Sequence, residues 1–284
     1  VKIEMKISIA SGKGGTGKTT IAVNLALSLS DVQLFDCDVE EPNCHLFLDL
    51  TLEKMQDVCL PVPVIDKNKC DFCGKCANSC EFNALAVIPS DVLIFPALCH
   101  GCGLCSLVCD KAAISESRRA IGVIERGCNG ELELEFYRGV LNIAEPMAAP
   151  VVRAVKRYID ESKIAIIDAS PGTACPVIEA IKNTDYCILV TEPTPFGLHD
   201  LKLAVEAARA LEVPSGVIIN KAGFEDSAVH RFCRRYGIPI LMKIPNDMNI
   251  ARLYSRGIPF TKAMPNWRDK FLELFEKIED RVRG

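Results

Sequence analysis

Apolar and polar positions alternate from residue 2 to residue 10, with Ile3, Met5, Ile7 and Ile9 in phase, and the alternation predicts a strand. A Gly-rich stretch from Ser11 to Thr20 follows, and apolar residues then recur at helical spacing from Ile21 to Leu29. Val32 to Phe35 is a short apolar run closed by Asp36-Cys37-Asp38, the pattern of a buried strand. Strand, Gly-rich loop, helix and strand compose a βαβ unit. The same texture returns after residue 114. Residues 121–125 and 132–136 are the arms of a predicted hairpin about Cys128-Asn129-Gly130, the second arm setting Leu132, Leu134 and Phe136 against Glu131, Glu133 and Glu135. Helices are predicted near 149–160, 175–182 and 198–211, and strands at 164–167, 186–190, 217–219 and 240–244. A further helix precedes the last of these strands and two helices end the chain. Repeated βα units predict an α/β fold, a mostly parallel sheet with helices on both faces. Residues 63–114 interrupt it with tight Gly and Pro punctuation, so they read as an insertion into one discontinuous domain of residues 1–62 and 115–284.

Composition narrows what this fold can do. Lys and Arg number 33 against 37 Asp and Glu, a net charge of −4, which argues against a nucleic-acid partner gripped through its phosphates. No apolar run approaches the ~18 residues of a membrane span, and the opening stretch lacks the shape of a signal peptide, so a cytoplasmic protein is expected. The cysteines are the outlier: 15 in 284 residues, eight of them between Cys70 and Cys109. A reducing compartment disfavours disulfides, and so dense a patch reads as a metal site.

Gly12-Lys13-Gly14-Gly15-Thr16-Gly17-Lys18-Thr19 satisfies G-x-x-x-x-G-K-S/T, with a strand before it and a helix after it. Glycines let backbone N–H groups converge on phosphate oxygens, and the helix N-terminus adds a favourable dipole. Lys18 is then expected on the β- and γ-phosphates and Thr19 on Mg2+. The additional Lys13, in Gly-Lys-Gly-Gly-Thr-Gly-Lys-Thr-Thr, resembles the deviant phosphate loop of the MinD, ParA and nitrogenase iron protein family. That resemblance implies nucleotide binding by residues 12–20, through Thr20, and an ATP-dependent dimer, homodimeric or with a paralogue, in which Lys13 reaches the partner's nucleotide. Asp36-Cys37-Asp38 looks like switch I, with Asp38 orienting the attacking water or contacting Mg2+. Ile166-Ile167-Asp168-Ala169-Ser170-Pro171-Gly172 looks like Walker B and switch II, with Asp168 in the Mg2+ shell and the Gly172 N–H sensing the γ-phosphate. Ile219-Asn220-Lys221-Ala222-Gly223 begins like a guanine-reading motif but has Gly223 where a carboxylate would pair with guanine. ATP and ADP are favoured, with Asn220, Pro245 and Asn246 as the base pocket.

The remaining cysteine spacings are Cys70-x2-Cys73-x2-Cys76-x3-Cys80 and Cys99-x2-Cys102-x2-Cys105-x3-Cys109, the second run 29 residues after the first at every position. Ala84-Leu85 and Ala113-Ile114 repeat with them, so the segment is an internal duplication. Zinc sites would more usually show separated C-x2-C pairs. The duplication resembles the two-cluster ferredoxin domain, in which the fourth cysteine of each run ligates the other cluster. The resemblance implies one [4Fe–4S] cluster on Cys70, Cys73, Cys76 and Cys109, and a second on Cys99, Cys102, Cys105 and Cys80. Glu81 and Asp110 stand where that family has proline, which bears on redox tuning. Of the other cysteines, Cys187 lies in a strand pattern and reads as core, and Cys175 lies just past Gly172.

The whole chain resembles MinD-superfamily ATPases carrying an inserted ferredoxin domain. The reading is an ATPase that couples nucleotide-driven dimerisation to electron transfer between protein donors and acceptors. An Mrp-type iron–sulfur scaffold is the alternative, and a MinD-like positioning ATPase a third. Positioning needs a membrane-binding tail. The last helix carries Trp267, Phe271, Leu274, Phe275, Ile278 and Val282 on one stripe, but its basic and acidic residues cancel, so it is expected to pack on the body and no membrane partner is expected.

Overall fold

The computed structural model describes residues 4–128, 134–223 and 226–284. The chain divides into two compact units, one of Val1–Met55, Ile124–Val140 and Ala148–Gly284, the other of Gln56–Val123 and Leu141–Met147. In the first part of the chain β1 (Met5–Ser11), α1 (Lys18–Ser28) and β2 (Val32–Cys37) form the expected βαβ unit. A 3₁₀ turn, Cys44–Phe47, leads into β3 (Thr51–Ile65). The cysteine-bearing segment follows as α2 (Lys75–Asn78), β4 (Leu85–Ile88), β5 (Asp91–Ile94) and α3 (Leu104–Leu107). Then come β6 (Ile114–Cys128), β7 (Leu134–Leu141), α4 (Ala148–Lys156), β8 (Ile164–Pro171), α5 (Cys175–Ile181) and β9 (Tyr186–Thr191). The chain ends with α6 (Pro195–Ala210), β10 (Ser215–Ala222), α7 (Ser227–Tyr236), β11 (Ile240–Pro245), α8 (Met248–Tyr254), α9 (Phe260–Ala263) and α10 (Asn266–Arg283). Three helices, not two, close the chain, because Gly257, Pro259 and Pro265 break the terminal helical stretch. The tip of the predicted 121–136 hairpin lies outside the described residues, while β6 and β7, its arms, are neighbours.

The large sheet has the order β11-β10-β9-β1-β8-β2-β7-β6-β3, and the pairs from β11 through β7 are parallel. β1 sits between β8 and β9, so both of its edges are paired. Its Ile7 and Ile9 are fully buried, and its polar Ser8 is buried too, its hydroxyl within 3.1 Å of the Thr184 hydroxyl and 3.3 Å of the Tyr186 carbonyl, to which it donates. β8 is a continuous buried run, Ile164 to Ile167, as a central parallel strand requires. Ligands of such sheets bind at the carboxyl ends of the strands where the strand order reverses, which here means the ends of β1, β2 and β8.

The second unit is broader than the 63–114 segment that composition marks out, because β3 and β6 are 15 residues each and run across its boundary. β3 carries Pro61 and Pro63, which argue against a strand in the sequence; the sheet accepts them because β3 is the last strand in the order and has an unpaired side. β4 and β5 form a separate antiparallel pair.

α10 lays Trp267, Phe271, Leu274, Phe275 and Ile278 into the core beside Ile21 and Leu25 of α1. Val282, the last member of the sequence stripe, is exposed one turn beyond this contact. Among the described residues no helix is long and apolar enough to cross a membrane. Phe271 is fully buried, so Phe271→Ala should cost about 3–5 kcal/mol of stability, measured by urea unfolding.

Candidate functional site

The loop leaving β1 is fixed by close backbone approach. A methyl group on Gly12 would stand 2.2 Å from the Asp200 carbonyl oxygen in α6, and Gly17, at φ +93°, would place one 2.3 Å from Asn220 Nδ2. Lys18 begins α1 and is buried. Asn220 donates from Nδ2 to the Thr16 carbonyl (2.8 Å) and accepts the Lys221 N–H on Oδ1 (2.9 Å), so its amide braces the phosphate loop. Lys13 Nζ lies 3.6 Å from Glu192 Oε2, and Lys221 bonds the other oxygen of the same carboxylate. The Gly172 N–H donates to the Ser11 carbonyl at 2.9 Å, a bond that must open before this group can meet a phosphate.

Parallel pairing of β2 and β8 sets Asp36 directly opposite Asp168, and both are fully buried. Asp36 accepts N–H groups from Asn43 (2.8 Å) and Cys44 (2.9 Å) on one oxygen and from Asp38 (3.2 Å) on the other, which shapes the loop 38–44. Asp168 Oδ2 accepts the Thr19 hydroxyl at 2.6 Å and the Cys44 thiol at 3.4 Å. Burial pushes both carboxyls above the usual range; the Asp168 charge pushes Asp36 the same way, whereas Lys18 and Thr19 hold Asp168 back. Asp168 Oδ1 is buried without a hydrogen-bond partner. A hydroxyl beside an unsatisfied carboxylate oxygen is the hard oxygen donor set that suits a partly hydrated Mg2+. Asp38, partly buried, is raised to about 6 by burial and by the charge of Asp168 against the pull of Lys18.

Gly14, Gly15, Gly17, Lys18, Thr19 and Thr20 share one cleft with Asp38, Asn220, Pro245 and Asn246. It encloses about 450 Å³, within the roughly 300–1,000 Å³ usual for small-molecule sites. Asp168 stands behind Thr19, while Gly12, Lys13, Thr16 and Gly172 support the loop without lining the cleft. The sequence reading missed the Asp36 clamp, whose donors are backbone N–H groups that no side-chain motif marks, and the Glu192 pairing with Lys13 and Lys221, which joins residues far apart in the chain. It also missed Tyr254 in the cleft wall, which no motif marks.

In the second unit the eight cysteines gather in two sets. Cys70, Cys73, Cys76 and Cys109 line one pocket, and Cys80, Cys99, Cys102 and Cys105 line another. The duplication extends to the backbone: α2 and α3 occupy equivalent positions, and left-handed φ angles recur at Phe72 and Gly101, Gly74 and Gly103, and Asn83 and Ala112. Backbone N–H groups point at sulfur, from Ala84 to Cys80 (3.3 Å), Gly101 to Cys99 (3.4 Å) and Ala113 to Cys109 (3.4 Å). Burial raises the Cys76 and Cys105 thiols, and the neighbouring sulfurs of the same set push them the same way. Four free thiols converging in a small, largely apolar pocket, with amide donors on sulfur, fit an iron–sulfur cluster. Asp110, one of the two acids in place of proline, is paired with Lys75. Cys187 is buried in β9, as core, and Cys175 is exposed at the start of α5. His45 lies 2.9 Å through Nδ1 from Arg138 and is partly buried, and His100 stacks on Phe82.

Residues 7–260 match the family described as the CobQ/CobB/MinD/ParA nucleotide binding domain. An uncharacterised protein of Methanocaldococcus jannaschii is 31% identical over 99% of this chain and 98% of its own length. An iron-sulfur cluster carrier protein of the same organism is 24% identical over 100% of this chain and 87% of its own. The fold is shared with the septum site-determining protein MinD of Pyrococcus horikoshii, solved with Mg-ADP, at a TM-score of 0.58 and 21% identity, covering 99% of this chain and 98% of that one.

Two outcomes test this geometry. Gly12→Ala leaves its new carbon more than about 1 Å too close to a backbone oxygen, and a displacement of that size should cost ATP turnover on the order of 100-fold. Asp38 gains its proton as pH falls through about 6, so turnover that needs its carboxylate should fall away below that value rather than below the ordinary carboxylate range. The measurement is kcat/KM against pH, which reports groups of the free protein, and Asp38→Asn should remove the acidic limb along with most of the activity.

Proposed function

The chain belongs to the CobQ/CobB/MinD/ParA nucleotide-binding family and is an ATPase of the MinD/ParA type, and from that premise we propose that its nucleotide cycle gates electron transfer through two [4Fe–4S] clusters. The observation that carries the reading is the sorting of the eight cysteines into two four-thiol pockets, within the same polypeptide as the phosphate loop. Cys70, Cys73, Cys76 and Cys109 would hold one cluster, and Cys80, Cys99, Cys102 and Cys105 the other. Such clusters supply one-electron redox chemistry at a potential set by burial and by hydrogen bonds to sulfur. The second unit is thereby read as a ferredoxin-like domain.

In the ATPase unit, Lys18 and the loop amides bind the β- and γ-phosphates, and Thr19 and Asp168 hold Mg2+ with its waters. Asp38 orients the attacking water. Its oxygen bonds to the γ-phosphorus as the bridge to ADP breaks, and its proton leaves with the phosphate. ATP draws two copies, or this chain and a paralogue, face to face, and Lys13 exchanges Glu192 for the partner's nucleotide. Protein donors and acceptors exchange electrons with the clusters at a rate that this dimerisation changes.

A second reading, an iron–sulfur carrier, is favoured by the relative of that description. Against it, no C-x-x-C pair stands outside the two ferredoxin-like runs, and those runs suit retention of the clusters. Membrane positioning is disfavoured by the burial of the α10 stripe.

Protein prepared without air should contain about eight iron atoms per chain, and Cys76→Ser or Cys105→Ser should each lose about half of them. Reduced clusters, followed by EPR, should be oxidised by an added acceptor at a rate that ATP changes in the wild type and leaves unchanged in Lys18→Ala. Iron leaving for an apo-protein on ATP addition would establish the carrier reading instead. An ATP-independent oxidation rate in the wild type would end the gating proposal.

A further inference from the structure

The nucleotide cleft has an end that the phosphate loop does not explain. Away from Lys18 and Thr19 its wall sets Ile244, Ile250, Ala251 and Tyr254 beside the polar Asn246 and Asp247. Two aromatic residues belong to this wall. Phe260 is 2% exposed and packed against Trp267 and Phe271, so its ring is spent on the core. Tyr254, the last residue of α8, is 52% exposed. Among the described residues lining the cleft it is the one aromatic ring that a ligand can cover. Of the polar residues at this end, Asn220 has its amide committed to Thr16 and Lys221, and Asp247 accepts the Asn249 N–H.

Tyr254 also has a definite backing. Its ring tilts at 38° against Phe47, centroids 5.3 Å apart. Phe47 ends the 3₁₀ turn whose first residue, Cys44, donates to Asp168. Just beyond α8, Gly257 passes so close to the Leu46 carbonyl that an added Cβ would stand 2.7 Å from it. The base end of the cleft and the turn 44–47 are therefore in direct contact at two points.

We infer that Tyr254 is the platform on which the nucleobase stacks, and that Phe47 behind it passes base occupancy to the turn 44–47. A planar base laid on the ring removes apolar surface from water and gains the offset π contact that aromatic faces favour. Stacking reads area and not edge, so Tyr254 raises affinity for purine nucleotides as a class, and the choice of adenine over guanine lies with other groups. The inference rests on nucleotide binding in this cleft and is independent of the clusters.

The experiment is calorimetric titration of the full chain with Mg-ADP and, separately, with magnesium and inorganic tripolyphosphate, which occupies the phosphate loop and has no base. Tyr254→Ala should weaken ADP binding by about 5- to 150-fold and leave tripolyphosphate binding unchanged. Tyr254→Leu, which keeps apolar bulk against Phe47 without a π face, should show the same split, and Tyr254→Phe should bind like the wild type. Amide exchange over residues 44–48 should be slowed more by ADP than by tripolyphosphate, and Phe47→Ala should erase that difference. Equal loss of both ligands in Tyr254→Leu, or no loss of either, would overturn the platform. Base-dependent protection surviving in Phe47→Ala would overturn the relay. Failure of the wild type to bind ADP at all would remove the nucleotide cleft itself, an outcome separate from either.

Discussion

Asp168 stands at the carboxyl end of β8 with Asp36 directly across the pair to β2, and one of its oxygens receives both the Thr19 hydroxyl and the Cys44 thiol. Two carboxyls buried side by side are costly unless charge or protons offset them. The surroundings offset them unequally. Three backbone N–H groups converge on Asp36, while Asp168 has Lys18, two side-chain donors and one oxygen left without a partner. That unsatisfied oxygen is a group that a cation would satisfy. Because α1 and the loop 38–44 are both tied to the Asp168 carboxylate, a change in its charge acts on both.

The Asp36 clamp explains why Asp38 is so placed. The three N–H bonds fold residues 38–44 over the ends of β2 and β8, leaving Asp38 partly buried at the wall of the cleft. Asp38 keeps a raised pKa because burial outweighs the pull of Lys18. Asp36 itself is spent on backbone amides, so the two aspartates of Asp36-Cys37-Asp38 divide the work: one shapes the loop and the other is available to water or Mg2+.

Much of this was legible in the sequence, and the reason is locality. Residues 12–19 announce a phosphate loop because spacing, preceding strand and following helix are all short-range features. The cysteine sets were legible for a different reason: duplication. A repeat of 29 residues implies two equivalent half-sites, and in the structure Cys80 lines the pocket of the second run and Cys109 that of the first. What could not be read is whatever depends on strand order. Asp36 meets Asp168 only because β8 inserts between β1 and β2, and Glu192 meets Lys13 only because β9 borders β1 on its other side. β3 was hidden by Pro61 and Pro63, residues that a sheet tolerates at an edge and not at its centre. Tyr254 carried no signal, since a half-exposed tyrosine at a helix end is ordinary until a cleft opens beside it.

The 3₁₀ turn Cys44–Phe47 collects these threads. It bonds Asp168 through Cys44 and packs on Tyr254 through Phe47. After it the chain enters β3 at Thr51, which continues past Met55 into the cysteine-bearing unit. β6, which also crosses this boundary, is tied to the same turn by side chains. His45 Nδ1 lies 2.9 Å from Arg138 Nη1, and Arg138 Nε donates at 2.6 Å to Glu125 Oε2, close to where β6 leaves that unit. Extended strands transmit displacement along their length better than loops do, because ladder hydrogen bonds and alternate-face packing fix their backbone. The turn, bonded to Asp168 on one side and packed on Tyr254 on the other, is thus attached to β3 by the covalent chain and to β6 through Arg138 and Glu125. A shift of the four residues at 44–47 would therefore act on Asp168 and on Tyr254 together, and the covalent chain leads from that turn into β3.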